Sequence, residues 1–353
     1  MFPDFQNKRI FITGHTGFKG SWLCQWLLTL GANIKGYALD LPTNPSLFES
    51  LGLSEQLLDV RADIRDKKRL TSELIDFQPD LVFHLAAQPL VRYSYAYPLE
   101  TYESNVMGTI YLLDALRQLT NPCAAVMVTS DKCYENREWV YGYREEDPMG
   151  GSDPYSSSKG MAELAISAYR RSYFQNSPIR IASARAGNVI GGGDWAPDRI
   201  IPDCIRACQQ QTSIEVRNPY ATRPWQHVLD PLSGYLQLGS KLLEVEKESD
   251  QQTQFDEGFN FGPSNESNRT VREVVTALFE HLPGKWVDKS TTKAPHEARF
   301  LHLSTDKANK LLNWQSKWNF GESIRRTAEW YHCYISGGDV RSLTQQQIDS
   351  FVG

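Results

Sequence analysis

Short apolar runs alternate with helical patterns along the first half of the chain. Five runs rich in β-branched and other apolar residues predict buried strands, at 9–13, 33–39, 81–85, 124–129 and 180–186. Apolar residues at helical spacing predict helices between them, at 21–30, 67–77 and 102–119. Strands that alternate with helices form a parallel sheet with helices on both faces. The pattern therefore predicts a doubly wound, Rossmann-type α/β domain over residues 1–187.

After residue 187 the pattern changes. Loops containing glycine and proline, at 191–198 and 217–225, separate shorter elements. Helical patterns return at 271–282, 307–312 and 322–335. We expect a second, smaller mixed α/β domain, mainly in residues 188–353, that binds substrate and covers the edge of the sheet. One segment near 226–258 is expected to return to the first domain.

Composition excludes several classes of function. The 353 residues carry a formal net charge of −5, so the positive surplus of a general nucleic-acid-binding protein is absent. No uninterrupted apolar run approaches the length of a membrane span. The six cysteines form no CxxC motif and lack companion metal ligands, which fits free thiols in a reducing compartment. We expect a cytoplasmic protein with no metal, nucleic-acid or membrane partner.

A glycine-rich turn, GHTGFKG at 14–20, joins the first predicted strand to the first helix. Gly14 allows a tight exit from the strand, Gly17 lets the backbone approach a pyrophosphate, and Gly20 allows close helix packing. Asp40, after the second strand, can accept hydrogen bonds from both ribose hydroxyls and would repel a 2′-phosphate. The turn and Asp40 predict a dinucleotide site that prefers NAD to NADP. The alternative for Asp40 is a solvated turn residue.

The ends of parallel strands line the crevice in such a fold, so further cofactor contacts can be predicted. These expected contacts are Thr16, Phe18, Lys19, Asp63, Ile64, Leu85, Ala86 and Ala87. Asp63 and Ile64 are placed where the adenine would rest. For the alanines, plain packing is the alternative.

Tyr155 and Lys159 form a YxxxK motif. Residues four apart share one face of a helix, so the ammonium is expected near the phenol. A nearby positive charge lowers the pKa of tyrosine, which suits a general base for an alcohol. Ser130, at the end of a predicted strand, can hydrogen-bond the same hydroxyl. The alternative is an ordinary surface helix pair.

These features resemble the extended short-chain dehydrogenases/reductases, within them the nucleotide-sugar 4,6-dehydratases, and most closely the CDP-glucose 4,6-dehydratases. The superfamily resemblance is carried by GHTGFKG, Asp40, HLAAQ at 84–88, Asn105, TSDK at 129–132 and YSSSK at 155–159. The closer resemblance is carried by AAQPLVRYSY at 86–95, TSDKCYEN at 129–136, GGGDWAPDRIIPD at 191–203 and RPWQHVLDP at 223–231.

The resemblance implies that CDP-glucose becomes CDP-4-keto-6-deoxyglucose. Tyr155, with Lys159 and Ser130, would take the proton of the 4-hydroxyl while hydride moves to NAD. Water then leaves across positions 5 and 6, and the hydride returns to position 6. Asp131 would protonate the departing 6-hydroxyl, with a structural strand-end cap as the alternative. Many relatives have glutamate where this chain has Lys132, which leaves two roles open: base at position 5, or cation stabilising the enolate.

The resemblance also implies contacts outside the reacting groups. Asn105 is expected at the cofactor, and the expected substrate contacts are Gln88, Asn188, Arg199, Arg223 and Arg299. Arginines suit a diphosphate because they bind phosphate oxygens bidentately, although a surface ion pair is the alternative for each. A homodimer or dimer of dimers, through helices around 103–118 and 156–173, is expected from the resemblance alone.

Two alternative functions remain open at this level. The nearer one is another enzyme of the same superfamily, either a 4-epimerase or a dehydratase for a different nucleotide. The more distant one is a non-catalytic NAD-sensing protein, which would not need the Ser130, Tyr155 and Lys159 set. Fold alone cannot decide between them.

Overall fold

The computed structural model describes residues 5–244, 254–290 and 301–353. Within these ranges, seven parallel strands form a central sheet: β1 (Arg9–Thr13), β2 (Asn33–Ala38), β3 (Leu58–Arg61), β4 (Leu81–His84), β5 (Cys123–Val128), β6 (Ile179–Ala186) and β11 (Gly258–Phe261). Shorter pairs involve β7 (Val189–Ile190), β8 (Ser213–Val216), β9 (Thr222–Pro224), β10 (Gln226–His227), β12 (Asn268–Thr270) and β13 (Lys285–Asp288).

Helices cover both faces of this sheet. Those in the described ranges are α1 (Phe18–Thr29), α2 (Leu47–Ser50), α3 (Lys67–Phe77), α4 (Val91–Ala96), α5 (Pro98–Tyr102), α6 (Gly108–Leu116), α7 (Pro154–Tyr173), α8 (Ile200–Gln210), α9 (Leu229–Glu244), α10 (Val271–Phe279), α11 (Asp306–Leu312), α12 (Phe320–Ile335) and α13 (Val340–Val352). None of the helices described is long and apolar enough to cross a membrane.

The sheet has the order β11-β6-β5-β4-β1-β2-β3. The predicted doubly wound fold is therefore confirmed. Its central strands are buried along their whole length, as β4 and β5 show, because helices pack on both faces. The sequence analysis missed β3, since this edge strand is half-exposed and shows no apolar run. It also gave no strand at β11, which pairs with β6 and brings the chain back to the sheet. The division into two domains stays a prediction.

Two predicted helices differ from the observed ones. The first begins at Phe18, three residues early, because Gly17 acts as its N-cap. The predicted helix at 102–119 is divided into α5, one π-helical turn at Glu103–Met107, and α6. The π turn inserts one extra residue per turn and buries Asn105. Such turns are frequent at functional sites, and this one lies behind the cavity described next.

Candidate active site

A cavity of about 1740 Å³ opens at the carboxyl ends of the sheet strands. Strand order reverses between β1 and β4, which is where ligands bind in open α/β sheets. The volume exceeds the roughly 300–1,000 Å³ of a pocket for one small ligand, so two ligands can fit side by side. The predicted site residues that line it are Gly14, Thr16, Gly17, Phe18, Lys19, Gly20, Asp40, Asp63, Ile64, Leu85, Ala86, Ala87, Gln88, Ser130, Asp131, Lys132, Tyr155, Lys159, Asn188, Arg199 and Arg223.

Glycine is needed at each of the three positions of the turn for a different structural reason. Gly14 has φ of +76°, and a Cβ there would lie 2.7 Å from the Ala86 nitrogen. A Cβ on Gly20 would lie 2.2 Å from the Gly14 carbonyl oxygen, so this glycine allows α1 to pack on the turn. A Cβ on Gly17 would meet only that same oxygen, at 3.4 Å, and would otherwise enter the cavity. The turn therefore forms a cradle at the N-terminus of α1 that fits a pyrophosphate.

Two charged side chains flank this cradle. The Asp40 carboxylate is 96% exposed and lines the cavity two residues beyond the end of β2. Lys19, in the first turn of α1, instead extends toward α9, where its Nζ lies 3.5 Å from the Tyr235 hydroxyl. Burial lowers the pKa of Lys19 to about 8. The negative charge of Asp131, which follows β5, acts to raise this pKa. Lys19 therefore lies near the Asp131 carboxylate as well as beside the cradle.

Ser130 and Asp131 follow β5 at the bottom of the cavity. Ser130 caps a short 3₁₀ turn, and its hydroxyl accepts a hydrogen bond from the Lys132 backbone N–H at 3.2 Å. The same hydroxyl donates to Asp131 Oδ1 at 2.9 Å. Asp131 is 1% exposed, and its other oxygen, Oδ2, has no hydrogen-bond partner among the described residues. A Cβ on Gly187 would lie 2.8 Å from Oδ2, so a glycine there leaves room for this carboxylate.

Tyr155 and Lys159 lie in the first turns of α7, where Asp153 caps the helix and Pro154 begins it. Both side chains are buried, and both line the cavity. Burial raises the pKa of Tyr155 to about 12, although a hydrogen bond with Ser130 acts in the opposite direction. The expectation that this pKa lies near neutrality is wrong for the protein alone, because desolvation of the phenolate outweighs the lowering by Ser130 and Arg199. Burial also lowers the pKa of Lys159 to about 8.

The expected substrate residues differ in how strongly protein neighbours already hold them. Gln88 uses both ends of its amide, donating to Thr101 Oγ1 at 2.9 Å and accepting from the Leu90 N–H at 2.5 Å. Arg199 donates to Asp194 Oδ2 at 2.7 Å. Arg223 donates to the Thr222 carbonyl at 2.7 Å. Asn188 lines the cavity just after β6. Arg299 lies outside the described residues.

Asn105 is placed differently from the other expected cofactor residues. It is buried behind the cavity wall, where its Oδ1 accepts from the Gln88 N–H at 2.8 Å. Its amide nitrogen donates to the Gln88 carbonyl at 3.1 Å and to Ser158 Oγ at 2.9 Å. Asn105 therefore joins the segment after β4 to α7. It shapes the wall through Gln88 and Ser158.

Residues 11–327 match the family model described as GDP-mannose 4,6 dehydratase. The chain is 48% identical to the CDP-glucose 4,6-dehydratase of Salmonella typhimurium, over 99% of this chain and 97% of that protein. The chain belongs to this dehydratase family. The predicted family resemblance is thus confirmed.

Two solved structures have the same fold as this chain. DesIV, a dTDP-glucose 4,6-dehydratase from Streptomyces venezuelae solved with NAD and TYD bound, superposes with a TM-score of 0.78 at 22% identity, covering 94% of this chain and 98% of that one. A UDP-glucose-4-epimerase from Stenotrophomonas maltophila, solved with bound NAD and formylated UDP-arabinopyranose, gives 0.79 at 20% identity, covering 94% and 100%. At these identities the likeness shows the fold.

A buried polar network that was not predicted from the sequence lies behind Ser130 and Lys159. Glu163, one turn after Lys159 on α7, is 4% exposed. Its carboxylate accepts hydrogen bonds from Thr129 Oγ1, from Ser183 Oγ at 2.8 Å and from Arg185 Nη2 at 2.8 Å. Thr129 directly precedes Ser130, so this one carboxylate links α7, β5 and β6. The spacing YxxxKxxxE was the available signal, since Glu163 continues the Tyr155 face of the helix.

The loop at 191–198 forms the rim of the cavity opposite Ser130 and Asp131. The first part of the loop is bonded to α12, where the Tyr331 hydroxyl donates to the Asp194 carbonyl at 2.5 Å. The centres of the Trp195 and Tyr331 rings lie 5.2 Å apart. The end of the loop reaches across the opening, where Asp198 forms a 2.9 Å ion pair with Arg92 on α4. The motif GGGDWAPD marked the loop in the sequence, but nothing in it indicated the partners on α12 and α4.

Proposed function

We propose that the protein is a NAD-dependent lyase that removes water from CDP-glucose and releases CDP-4-keto-6-deoxyglucose. The observation that carries this proposal is the position of Asp131. Its unpartnered Oδ2 lies in the same cavity as Ser130 and Tyr155. An epimerase needs a base for the sugar hydroxyl, whereas a dehydratase also needs an acid for the departing hydroxyl. Membership of the dehydratase family and 48% identity to a CDP-glucose 4,6-dehydratase support the same reaction.

The cavity residues fit a dinucleotide. The cradle at Gly17 suits the pyrophosphate, and Asp40 suits the adenosine ribose. Asp63 and Ile64 follow β3 on the adenine side, and small side chains after β4, including Ala86, leave room beside the cofactor. When bound, NAD supplies the transient oxidation, accepting hydride from sugar position 4 and returning it to position 6.

Tyr155 is assigned to the proton of the 4-hydroxyl. A substrate hydroxyl at this position shares its hydrogen bond with Ser130, which already lies beside the phenol. The Lys159 ammonium favours the phenolate as the proton leaves. Because burial raises the pKa of Tyr155 to about 12 in the protein alone, this charge is needed close to the reacting atoms. The pKa of Tyr155 during the reaction is thus set by neighbouring charged and polar groups, because the side chain is buried from water.

Asp131 is assigned to the elimination. As the general acid it gives a proton to the departing 6-hydroxyl, and the bond between carbon 6 and that oxygen breaks as water leaves. Ser130 holds the other carboxyl oxygen in place through the 2.9 Å hydrogen bond. The buried setting of Asp131 keeps bulk water from taking over this role.

Lys132 stands next to Asp131 on the cavity wall and is assigned to the loss of the proton at position 5. Its two possible contributions can be separated with Lys132→Arg, because arginine keeps the positive charge but does not act as a base near neutral pH. Elimination that survives in this variant assigns Lys132 to stabilising the enolate. Elimination lost in Lys132→Arg and Lys132→Gln alike assigns it as the base.

Arg199 and Arg223, which line the opposite side of the cavity, are assigned to the diphosphate, and Asn188 and Gln88 to the sugar side. Arg199 is already bonded to Asp194, so its guanidinium is oriented before substrate arrives. Arg299 is assigned to the same group from the family resemblance.

The proposed reaction is tested by incubating the purified protein with CDP-, dTDP-, UDP- and GDP-glucose and weighing the products. We expect a product lighter by one water, formed most efficiently from CDP-glucose. A pocket that pairs with the cytosine amine leaves acceptors unsatisfied when another base enters, which penalises the other substrates. Products of unchanged mass would indicate an epimerase. Equal turnover of dTDP- or GDP-glucose would leave a dehydratase with a different nucleotide preference.

We also propose a homodimer that works in the cytosol. All six cysteines are free thiols, as is usual in a reducing compartment. Large apolar side chains are exposed along α7 and beside it: Met107, Met161, Leu164 and Tyr173. A second copy covering this face would remove them from water. Light scattering that gives the mass of a single 40.1 kDa chain would contradict the dimer.

A further inference from the structure

The edge of the sheet next to Asp40 carries a second charged residue that the cofactor assignment does not use. Arg61 ends β3, and its backbone is in register with Ala38 at the end of β2. Its Nη1 lies 3.6 Å from Asp40 Oδ1. Dinucleotide enzymes select NAD with an acidic residue at this place and NADP with a nearby arginine. This chain has both residues within ion-pair distance of each other.

The Arg61 guanidinium is held from three sides. Its Nε and Nη2 donate to the two Asp59 carboxylate oxygens at 2.7 and 2.8 Å, which is a bidentate pair. Its Cζ lies 5.0 Å from the centre of the Phe48 ring. The remaining nitrogen, Nη1, is the one directed at Asp40. Asp59 and Arg61 are two residues apart on one strand and so share a face of the sheet.

Asp59 is held in place by a second hydrogen-bond partner, His15. His15, a fully buried residue of the glycine-rich turn, lies 2.8 Å from Asp59 Oδ1 through its Nε2. The hydrogen bonds from Arg61 and His15 hold the pKa of Asp59 below its usual range although its partial burial acts to raise it. The Asp59 carboxylate therefore stays charged at neutral pH.

We propose that Arg61 is a latent ligand for a 2′-phosphate, and that Asp40 and Asp59 together keep its charge occupied so that the site selects NAD. A 2′-phosphate would occupy the space of the Asp40 carboxylate, which is already at ion-pair distance from Nη1. With Asp40 in place, two anions would compete for one cation. With Asp40 removed, the phosphate replaces the carboxylate as the partner of Arg61. This inference rests on the proposed use of NAD.

The test compares dinucleotide binding by calorimetric titration in four proteins: unmodified, Asp40→Ser, Asp40→Ser/Arg61→Gln and Asp40→Ser/Arg69→Gln. Arg69→Gln is the matched control, because it removes the same charge from an exposed arginine on α3 whose partner, Glu73, keeps its ion pair with Lys35. We expect Asp40→Ser to raise NADP affinity by about tenfold or more, the range of a charge-assisted hydrogen bond. The Arg61→Gln double variant loses this gain, and the Arg69→Gln double variant keeps it.

Salt provides a second readout. The gain in NADP affinity should shrink as ionic strength rises, since Arg61 and the phosphate are close to solvent. If Arg61→Gln disturbs the edge strand, seen as lost NAD binding, Arg61→Lys replaces it. The lysine keeps the charge without the bidentate geometry, so the double variant Asp40→Ser/Arg61→Lys is expected to retain part of the gain.

Equal NADP affinity in Asp40→Ser with and without Arg61 would overturn the inference while leaving NAD as the cofactor. So would an Asp40→Ser variant that still binds NAD but gains no affinity for NADP. An unmodified protein that binds neither dinucleotide would instead contradict the proposed function, and the inference with it.

Discussion

At the bottom of the cavity, Ser130, Asp131 and Tyr155 are held by strand ends and by the first turns of one long helix. At the opposite rim, Arg199 is held by a loop whose anchor, Tyr331, is 137 residues away from Asp194 along the chain. The bottom is buried, and one oxygen of its Asp131 carboxylate is bonded to Ser130, whereas the Arg199 side chain is 34% exposed. We therefore propose that the reaction takes place at the bottom of the cavity and that the rim binds the substrate. This is the division between bottom and rim.

This division predicts that the largest loss of activity comes from Tyr155→Phe. Removing the proposed base should slow the first hydride transfer by about 10²–10⁴-fold, the usual contribution of a positioned general base. Folding and cofactor binding should remain, since phenylalanine keeps the backbone hydrogen bonds to Ser94 and Ser158 and loses only the hydroxyl. Single-turnover absorbance of the reduced cofactor measures the step. An undiminished rate would assign the base to another group.

Asp131→Asn should separate oxidation from elimination. The amide cannot supply a proton, so dehydration is expected to fall by about 10²–10⁴-fold while reduction of the cofactor continues. Rapid-quench sampling should show the oxidised 4-keto sugar accumulating before water is lost. Parallel losses in both steps would mean that Asp131 positions Ser130 and does not act as the acid. No loss in either step would remove Asp131 from the reaction.

Glu163→Gln tests whether the buried network around Glu163 positions Ser130 and Lys159, the groups proposed to assist the base. Breaking the buried pair leaves Arg185 without its carboxylate, which should lower the free energy of unfolding by about 3–5 kcal/mol. Glu322→Gln is the control, because its ion pairs with Arg325 and Arg326 are half-exposed and contribute about 1 kcal/mol or less. Urea titration measures both. A cost as small as that of the control would contradict a buried, charged network.

The same variant has a readout in the pH profile. The Lys159 ammonium is present below its pKa of about 8 and lost above it, so activity that uses this charge falls as pH rises through about 8. The Glu163 carboxylate opposes the lowering of that pKa. Without it the pKa drops further, and the decline should begin at lower pH. An unchanged profile in a folded Glu163→Gln protein would limit Glu163 to stability.

The smallest effect is expected at the rim. Arg199→Gln should raise KM by about tenfold through the loss of a charge-assisted contact with the diphosphate. Its effect on kcat should be small, because such a contact is equally strong in substrate and transition state. Steady-state kinetics with CDP-glucose separates the two constants. A fall in kcat at unchanged KM would place Arg199 with the reacting groups and contradict the division between bottom and rim.

The same contrast explains what the sequence could predict. The glycine-rich turn and the YxxxK pair are local patterns, and each needs only a strand end or one helix to place its side chains. The ion pairs of Arg61 with Asp40 and of Glu163 with Arg185 depend on which elements become neighbours in space, and so does the contact of Asp194 with Tyr331. The direction of the Tyr155 pKa was also missed, because desolvation depends on burial that the YxxxK spacing does not reveal. Sequence reasoning thus found the groups that line the cavity but not those that hold and tune them.

The central claim, that one sugar is oxidised, dehydrated and reduced within a single cavity, is tested most directly with CDP-glucose carrying deuterium at sugar position 4. The account predicts CDP-4-keto-6-deoxyglucose in which that deuterium is found at position 6 of the same molecule, as read by mass spectrometry and NMR. Deuterium retained at position 4 of a product of unchanged mass, or lost from the product altogether, would contradict it.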